Sequence, residues 1–335
     1  MAGHACGMYI NHLAYRSDYN DQGILSTLAY SMLFNRHIPG DDRCFTDQEK
    51  IIDSEGINDM NEVSETALIT LRSRVIESGK PNPVINDPVG AECLKRLEPL
   101  LSSSQFNRLI KKNLPITLTR YIALRARKYD FYARAFMDKN PDGMVVNLGC
   151  GFDTRYWRVF DREWEYVEID LPEVINFKQQ ILGDRITFKM IGASVLGKEW
   201  LEQIHSLQSE KILFLAEGLF MYLPPEDVRS LFKSLSETCT SSEIVFEAVN
   251  EKYTRGIWKK MVERKMRKQL DSSAGSSYQF GIRNASEIEN FGLKIKVMEE
   301  WSYYEDPDLK PAFLKIFRHF EAFSRTQWTI RALVG

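Results

Sequence analysis

Two glycines and an aspartate have the spacing of a site that binds the ribose of a cofactor. Gly149 and Gly151 follow the apolar run at 144–148 and carry no Cβ, so the backbone there can turn sharply and approach a ligand closely. Asp170 lies 21 positions after Gly149, where an acid at the end of the next strand could bind ribose hydroxyls. The third glycine of a dinucleotide fingerprint is replaced by Thr154. The pattern therefore favours an adenosyl cofactor without a pyrophosphate over NAD.

The same residues also have structural interpretations. A Gly-x-Gly turn occurs in loops that bind nothing, and Asp170 followed by Glu173 three residues later resembles a helix N-cap. Glu168 lies on the same side of the strand as Asp170 and could take either role. Glu217 directly follows the buried run at 212–216, so it could contact a ligand, cap a helix or pair with a basic residue. The residues alone do not decide between these structural and ligand-binding roles.

The elements that position these residues form two regions. Residues 60–140 are mostly helical in pattern, with the clearest helix over 119–138, where apolar residues recur at spacings of three, four and seven. From Met144 onward, short apolar runs alternate with helical segments, which predicts a parallel sheet with helices on both faces. The predicted strands are 144–148, 166–170, 186–190, 212–216, 244–249, 294–301 and 328–334, and the clearest intervening helices are 173–182, 199–207 and 225–238. We expect a doubly wound α/β domain at 141–335 after the helical part.

Composition and charge exclude several classes of protein. The 335 residues are 44% hydrophobic and 27% charged, so the chain can bury a core, unlike a disordered chain or a disulfide scaffold. The formal net charge of -2 directs the chain toward neither a nucleic acid nor an anionic membrane. There is no signal-peptide pattern, and no apolar run approaches the ~18 residues of a membrane span. Five scattered cysteines without a CxxC motif fit a reducing compartment. We expect a cytoplasmic enzyme without a metal site.

Together the motifs resemble those of the leucine carboxyl methyltransferase family, and most closely its branch of tetracenomycin-type polyketide O-methyltransferases. The matching segments are 66–68 with Arg74, 87–88, Arg125 with 129–130, 146–155, 167–174 and 216–223. They occur in order, belong to a resemblance that covers about residues 65 to 335, and include a specific Gly-Cys-Gly turn followed by Asp-Thr-Arg. The resemblance implies a Rossmann-like methyltransferase sheet and S-adenosyl-L-methionine as the cofactor.

The resemblance also implies roles for individual residues. Arg125 would bind the methionine carboxylate, Asp170 the ribose hydroxyls, and Glu217 would lie beside the methionine end. Ser194 stands near the position where relatives often carry an aspartate that binds adenine. The full set of implied cofactor-binding residues is Arg74, Arg125, Gly149, Cys150, Gly151, Asp170, Ser194, Val195 and Glu217.

Arg125 can also be interpreted from its own helix. It shares a face with Ile122 and Tyr129, whereas Arg127 lies on a more polar face. A guanidinium directed toward the interior requires an anion. That anion could be the carboxylate of the cofactor, or an acidic residue such as Glu217 in an internal salt bridge.

The segment at about 251–281 is predicted to form a lid insertion. Eight of the 17 residues from 252 to 268 are Lys or Arg, interspersed with large apolar residues. The segment could cover an acceptor pocket, or it could be a solvated basic helix over the sheet edge. The predicted substrate-pocket residues are Tyr222, Trp258 and Tyr278, and Phe280 is a further candidate. Tyr222, Tyr278 and Phe280 could equally belong to the core. Residues 1–59 have no recognised counterpart and could be an extension or an over-long start.

The expected function is an S-adenosylmethionine-dependent O-methyltransferase that acts on a carboxylate or hydroxyl of a small, aromatic or polyketide-like molecule. No histidine occurs in a site motif and no catalytic residue is identified. A carboxylate acceptor is ionised at pH 7 and requires no base, so this absence favours carboxyl methylation. A protein C-terminal leucine carboxyl methyltransferase and a non-catalytic cofactor-binding protein remain alternatives.

Overall fold

A seven-stranded sheet forms the centre of the molecule. The computed structural model describes residues 62–161, 164–239, 241–270 and 277–335, so the predicted extension at 1–59 lies outside them. The strands are β1 (Met144–Leu148), β2 (Glu165–Asp170), β3 (Lys189–Gly192), β4 (Ile212–Ala216), β5 (Ser242–Val249), β6 (Lys296–Trp301) and β7 (Gln327–Val334). Their order in the sheet is β3-β2-β1-β4-β5-β7-β6. Every residue of β1 and β4 is buried because helices cover both faces of the sheet.

Strand direction is where the structure departs from the sequence prediction. Strands β1 to β5 are parallel, as predicted, whereas β7 lies between β5 and β6 and is antiparallel to both. An apolar run indicates that a strand is buried but carries no information on its direction. The α/β class with a Rossmann-like sheet is confirmed, and the all-parallel expectation is wrong for β7, the one described strand of this sheet that runs opposite to the others.

The helices agree with the periodicity of the sequence. The longer ones are α1 (Glu62–Ser78), α2 (Pro88–Leu97), α3 (Ile116–Lys139), α4 (Arg155–Val159), α5 (Pro172–Leu182), α6 (Glu199–His205), α7 (Pro225–Thr238) and α8 (Gly256–Leu270). Proline supplies the first residue of α2, α5 and α7, where its missing N–H costs no hydrogen bond. The third strand begins three residues later and ends two residues later than predicted.

The N-terminal helices pack onto the sheet. Tyr129 and Phe136 of α3 share a hydrophobic cluster with Val145 of β1 and Leu213 of β4. A second cluster joins α1 and α2 to the turn after β1 and to α5. This packing brings α1 and α3 to the carboxyl ends of the central strands. No helix in the described ranges has the length and apolar character needed to cross a membrane.

Candidate cofactor and acceptor site

A cavity of about 650 Å³ lies at the carboxyl ends of β1, β2 and β4, where ligands bind in open α/β sheets. Helices α1 and α3, the loop after β4 and the segment around residues 277–279 supply further walls. All nine residues predicted to bind the cofactor line this cavity. Their binding role stays a prediction, but the structure brings them together.

The turn after β1 requires glycine at two positions. Gly149 and Gly151 have φ angles of 62° and 48°, in the left-handed region that side chains disfavour. A Cβ on Gly149 would lie 2.8 Å from Cδ1 of Leu219, and one on Gly151 would lie 2.9 Å from Cβ of Ala67. Both distances are shorter than the van der Waals contact of two carbon atoms. The turn therefore requires glycine at both positions, and its backbone lines the cavity without a Cβ.

Asp170 lies at the end of β2 and is oriented by backbone groups. Its Oδ2 accepts from the Gly151 amide at 2.7 Å, and its Oδ1 accepts from the Leu171 amide at 2.8 Å. Burial raises the pKa of Asp170 against the opposing effect of these two amides. A carboxylate has about four lone-pair positions, so two remain for ligand hydroxyls. The N-cap of α5 is Leu171 with no side-chain cap, which makes the capping interpretation of Asp170 wrong.

Glu168 has a structural role. Its side chain is fully buried and its Oε2 lies 2.7 Å from Nζ of Lys178, which is also fully buried. The Tyr166 hydroxyl donates to the other carboxylate oxygen at 3.2 Å. Burial raises the pKa of Glu168 despite the opposing ammonium group. Glu168 is therefore not among the residues that line the cavity.

Arg125 forms the internal ion pairs that the sequence left as an alternative. Its Nε donates to Oε1 of Glu217 at 2.9 Å, and its Nη1 donates to Oε2 of Glu247 at 2.6 Å. These bonds use two of the five N–H groups of the guanidinium, and the others can bind a further anion. Burial acts to raise the pKa of Glu217, but Arg125 and Arg155 outweigh it and the pKa is lowered.

A network of ion pairs between arginines and carboxylates stabilises the turn after β1. Arg74 donates to Asp87 at 2.9 Å and to the carbonyl of Phe152 at 2.8 Å, so it lines the cavity while bracing the turn. The Thr154 hydroxyl also donates to Asp87. The remaining pairs join Arg155 to Asp130, Asp153 and Glu217, and Arg158 to Asp87, Asp130 and Asp153. The Asp-Thr-Arg part of the motif thus fixes the shape of the turn.

The adenine candidates occupy one wall. Ser194 and Val195 line the cavity, with Val195 buried. The Ser194 hydroxyl accepts from the Leu196 amide at 3.3 Å, a weak contact within its own loop. The hydroxyl retains the capacity to donate to a ligand nitrogen.

Two of the three predicted substrate-pocket residues line the cavity. Tyr222 and Tyr278 do so, with ring centroids 5.8 Å apart. Trp258 is not among the lining residues, because it lies on the apolar face of α8 and packs on the cluster that contains Met221 and Tyr253. A contact of Trp258 with the substrate stays a prediction. Phe280 belongs to the main core cluster.

Three further residues at or near the cavity were not predicted from the sequence. Glu247 in β5 accepts from the Tyr121 hydroxyl and from Nε2 of Gln327 on the same oxygen, the latter at 2.6 Å. Tyr121 and Gln327 line the cavity, and Glu247 is only 1% exposed. Two signals were available: Glu247 interrupts an apolar strand, and Tyr121 lies one helical turn before Arg125 on the same face.

No histidine lines the cavity in the part of the chain that the structure describes. No group of three or more His, Cys, Asp or Glu side chains in that part could hold a metal ion. His205 and His319 are both exposed, outside the cavity.

A profile of the leucine carboxyl methyltransferase family matches residues 67–236, and the chain belongs to that family. Family membership confirms the predicted enzyme class, an S-adenosylmethionine-dependent methyltransferase.

Two named relatives and one solved structure are similar to the chain. The tetracenomycin polyketide synthesis O-methyltransferase TcmP of Streptomyces glaucescens is 29% identical over 251 residues, which cover 75% of this chain and 86% of TcmP. The S-adenosyl-L-methionine-dependent methyltransferase dpfgK of Gibberella zeae is 28% identical over 198 residues, 55% of this chain and 65% of dpfgK. Magnesium protoporphyrin IX methyltransferase from Synechocystis PCC 6803, solved with bound SAH, is 10% identical with a TM-score of 0.41, covering 72% of this chain and 99% of that one.

Proposed function

We propose that this enzyme transfers the methyl group of S-adenosylmethionine to an oxygen atom of a small-molecule acceptor. The observation that carries the proposal is a single cavity lined both by the nine predicted cofactor residues and by Tyr222, Tyr278 and Lys259. Its volume of about 650 Å³ lies within the range of roughly 300–1,000 Å³ typical of ligand pockets. A cofactor and an acceptor can therefore lie in contact in the same space.

The residues present fit the cofactor. The bare backbone of the Gly149 turn permits close approach, Asp170 retains two lone-pair positions for ribose hydroxyls, and Arg125 retains N–H groups for the methionine carboxylate. The bound cofactor would supply a methyl group on a sulfonium centre, which an oxygen nucleophile displaces in line. The protein's own contribution is to hold the two reactants aligned, which can supply up to about 7–11 kcal/mol of barrier reduction.

The acceptor oxygen is best supplied by a carboxylate. No histidine in the described part of the chain lines the cavity. Burial and the nearby Glu247 raise the pKa of Tyr222 to about 12, which makes its phenolate a rare species at pH 7. A carboxylic acid is already ionised at that pH, whereas a phenol must lose a proton to a base. Similarity to TcmP, which is named for polyketide synthesis, supports a polyketide-like acceptor.

Methyl transfer from radiolabelled S-adenosylmethionine to a panel of acceptors tests the proposal. We expect labelled ester from aromatic carboxylic acids and less product from the matching phenols. Label on a peptide with a C-terminal leucine would instead identify a protein carboxyl methyltransferase. A thermal shift with NAD but none with S-adenosylhomocysteine would reject the cofactor, because binding to the native state alone raises stability.

A further inference from the structure

We infer that Lys259 of the lid helix α8 binds an anionic group of the acceptor, and that the acceptor is an aromatic carboxylate. This inference rests on the proposed function, which already favours a carboxylate, and adds to it an aromatic acceptor body and a specificity-determining residue.

The first argument is the pairing of charges around the cavity. Arg74 and Arg125 pair with carboxylates, Asp153 and Glu217 pair with arginines, and the carboxylate of Asp170 accepts from two backbone amides. The ammonium group of Lys259 makes no ion pair or hydrogen bond with any described residue, yet Lys259 lines the cavity and is half-buried. A cation that is partly withdrawn from water favours an anionic partner. The acceptor can supply that partner.

The second argument is that the described parts of the lid segment, on either side of residues 271–276, are fixed in place on the cavity side. Val262 and the neighbouring Trp258 pack on a cluster formed by Met221, Val249 and Tyr253. At the other end of the lid, the Gln279 amide donates to the carbonyl of Met221 at 2.8 Å, and its Nε2 donates to the carbonyl of Tyr222 at 2.7 Å. The lid is thereby tied to the loop that follows Glu217. Lys259 lies beside this anchored face rather than on a free surface helix.

The third argument is the aromatic character of the surrounding walls. Tyr222 and Tyr278 form one pair of rings, with centroids 5.8 Å apart, and Tyr121 and Tyr303 form another, with centroids 4.6 Å apart. All four residues line the cavity. Rings in such pairs present faces and edges that pack well against a further aromatic ring. An aromatic body with a carboxylate therefore matches both the walls and the unpaired cation.

Esterification would also weaken this contact. The carboxylate of the acceptor is attracted to the Lys259 ammonium, whereas the methyl ester of the product carries no charge and is not attracted in this way. We therefore expect the ester to bind less tightly than the acid, which favours release of product over its retention.

Calorimetric titration of the full chain saturated with S-adenosylhomocysteine tests the inference, with 2-naphthoate and 2-naphthamide as probes. The two probes share an aromatic body and differ in charge. We expect the wild type to bind naphthoate roughly 10-fold more tightly than the amide. Lys259→Gln should abolish the preference and Lys259→Arg should restore it. Lys260→Gln, a change at the exposed next position, should retain it.

Three results would overturn the inference: equal affinity of the wild type for both probes, no binding of either probe, or an unchanged preference in folded Lys259→Gln. The affinity of each variant for S-adenosylhomocysteine is measured in the same instrument and separates the two levels of the argument. Wild-type protein that fails to bind S-adenosylhomocysteine refutes the proposed function itself. Protein that binds it but does not discriminate between the probes refutes only the role of Lys259.

Discussion

Nε of Arg125 lies 2.9 Å from Oε1 of Glu217, although the two residues are 92 positions apart in the sequence. Arg125 belongs to helix α3 of the N-terminal region, and Glu217 is the first residue after strand β4 of the sheet. The helical region therefore completes the cavity rather than forming a separate unit. Since the guanidinium retains unused N–H groups, the internal ion pair and a cofactor carboxylate can coexist on the same arginine.

Replacement of Arg125 is expected to weaken binding of ligands that carry an amino-acid carboxylate. Arg125→Ala should cost about 1.5–3 kcal/mol in affinity for S-adenosylhomocysteine, the range for hydrogen bonds to charged groups. That loss corresponds to a dissociation constant about 10- to 100-fold higher. The affinity for 5′-methylthioadenosine, which lacks the carboxylate, should change little. Isothermal titration with the two ligands measures both effects.

Arg127→Ala is the matched control, because Arg127 lies on the same helix but pairs with Asp306 and Asp308 away from the cavity. It should leave both affinities near their wild-type values. Removal of Arg125 leaves the buried carboxylate of Glu247 without its cationic partner, which destabilises the fold. If Arg125→Ala has a much lower melting temperature than the wild type, Arg125→Lys serves as a second variant. Unchanged S-adenosylhomocysteine affinity in either folded variant of Arg125 would remove this residue from the site.

Replacement of Asp170 is expected to act on the other part of the cofactor. Asp170→Asn should weaken S-adenosylhomocysteine and 5′-methylthioadenosine together, roughly 10-fold or more, because both ligands contain the ribose. Glu173→Gln provides the control, because Glu173 is exposed and lies three residues away in the sequence. A loss confined to S-adenosylhomocysteine would place Asp170 near the amino-acid end and contradict its assignment to the ribose.

Local patterns were enough to predict most of the helices and strands. The strands Met144–Leu148 and Ile212–Ala216 and the helix Pro225–Thr238 agree with the prediction to the residue, because apolar periodicity reflects burial. Contacts between distant segments could not be predicted in this way. Glu247 meets Tyr121 across 126 positions, and the antiparallel direction of β7 depends on its partners in the sheet.

Acid is expected to destabilise the protein partly through Asp87. Burial acts to raise the pKa of Asp87, but Arg158 and Arg74 outweigh it and lower the pKa to about 2. A carboxyl group whose pKa is depressed on folding stabilises the native state above the unfolded value of about 3.9. That stabilisation, about 2 kcal/mol, is lost as the pH falls from about 4 towards 2.

Melting temperatures recorded between pH 7 and pH 2 test this expectation. Asp87→Asn should be less stable than the wild type at pH 7, because Arg74 and Arg158 lose a charged partner. The difference between the two proteins should shrink on the way from pH 4 to pH 2, where the wild-type carboxyl also becomes neutral. A difference that stays constant over this range would show that the ionisation of Asp87 does not contribute.

Chelation is expected to leave methyl transfer intact. The described part of the chain contains no group of His, Cys, Asp and Glu side chains arranged to hold a metal ion. At the cavity, Glu217 and Asp153 are instead engaged by arginines, and Asp170 accepts from backbone amides. Initial rates with and without EDTA should agree. Activity that is lost with EDTA and restored by Mg²⁺ would demonstrate a metal requirement.

Removal of residues 1–59 is expected to preserve cofactor binding. Every described residue that lines the cavity falls between Thr66 and Gln327, and a chain that begins at Met60 retains all of them. The match to the family likewise begins at residue 67. Titration of the shortened and full-length proteins with S-adenosylhomocysteine should give dissociation constants within about threefold, less than 1 kcal/mol apart. A shortened chain that is soluble and folded but has lost the ligand would assign residues 1–59 a part in the site.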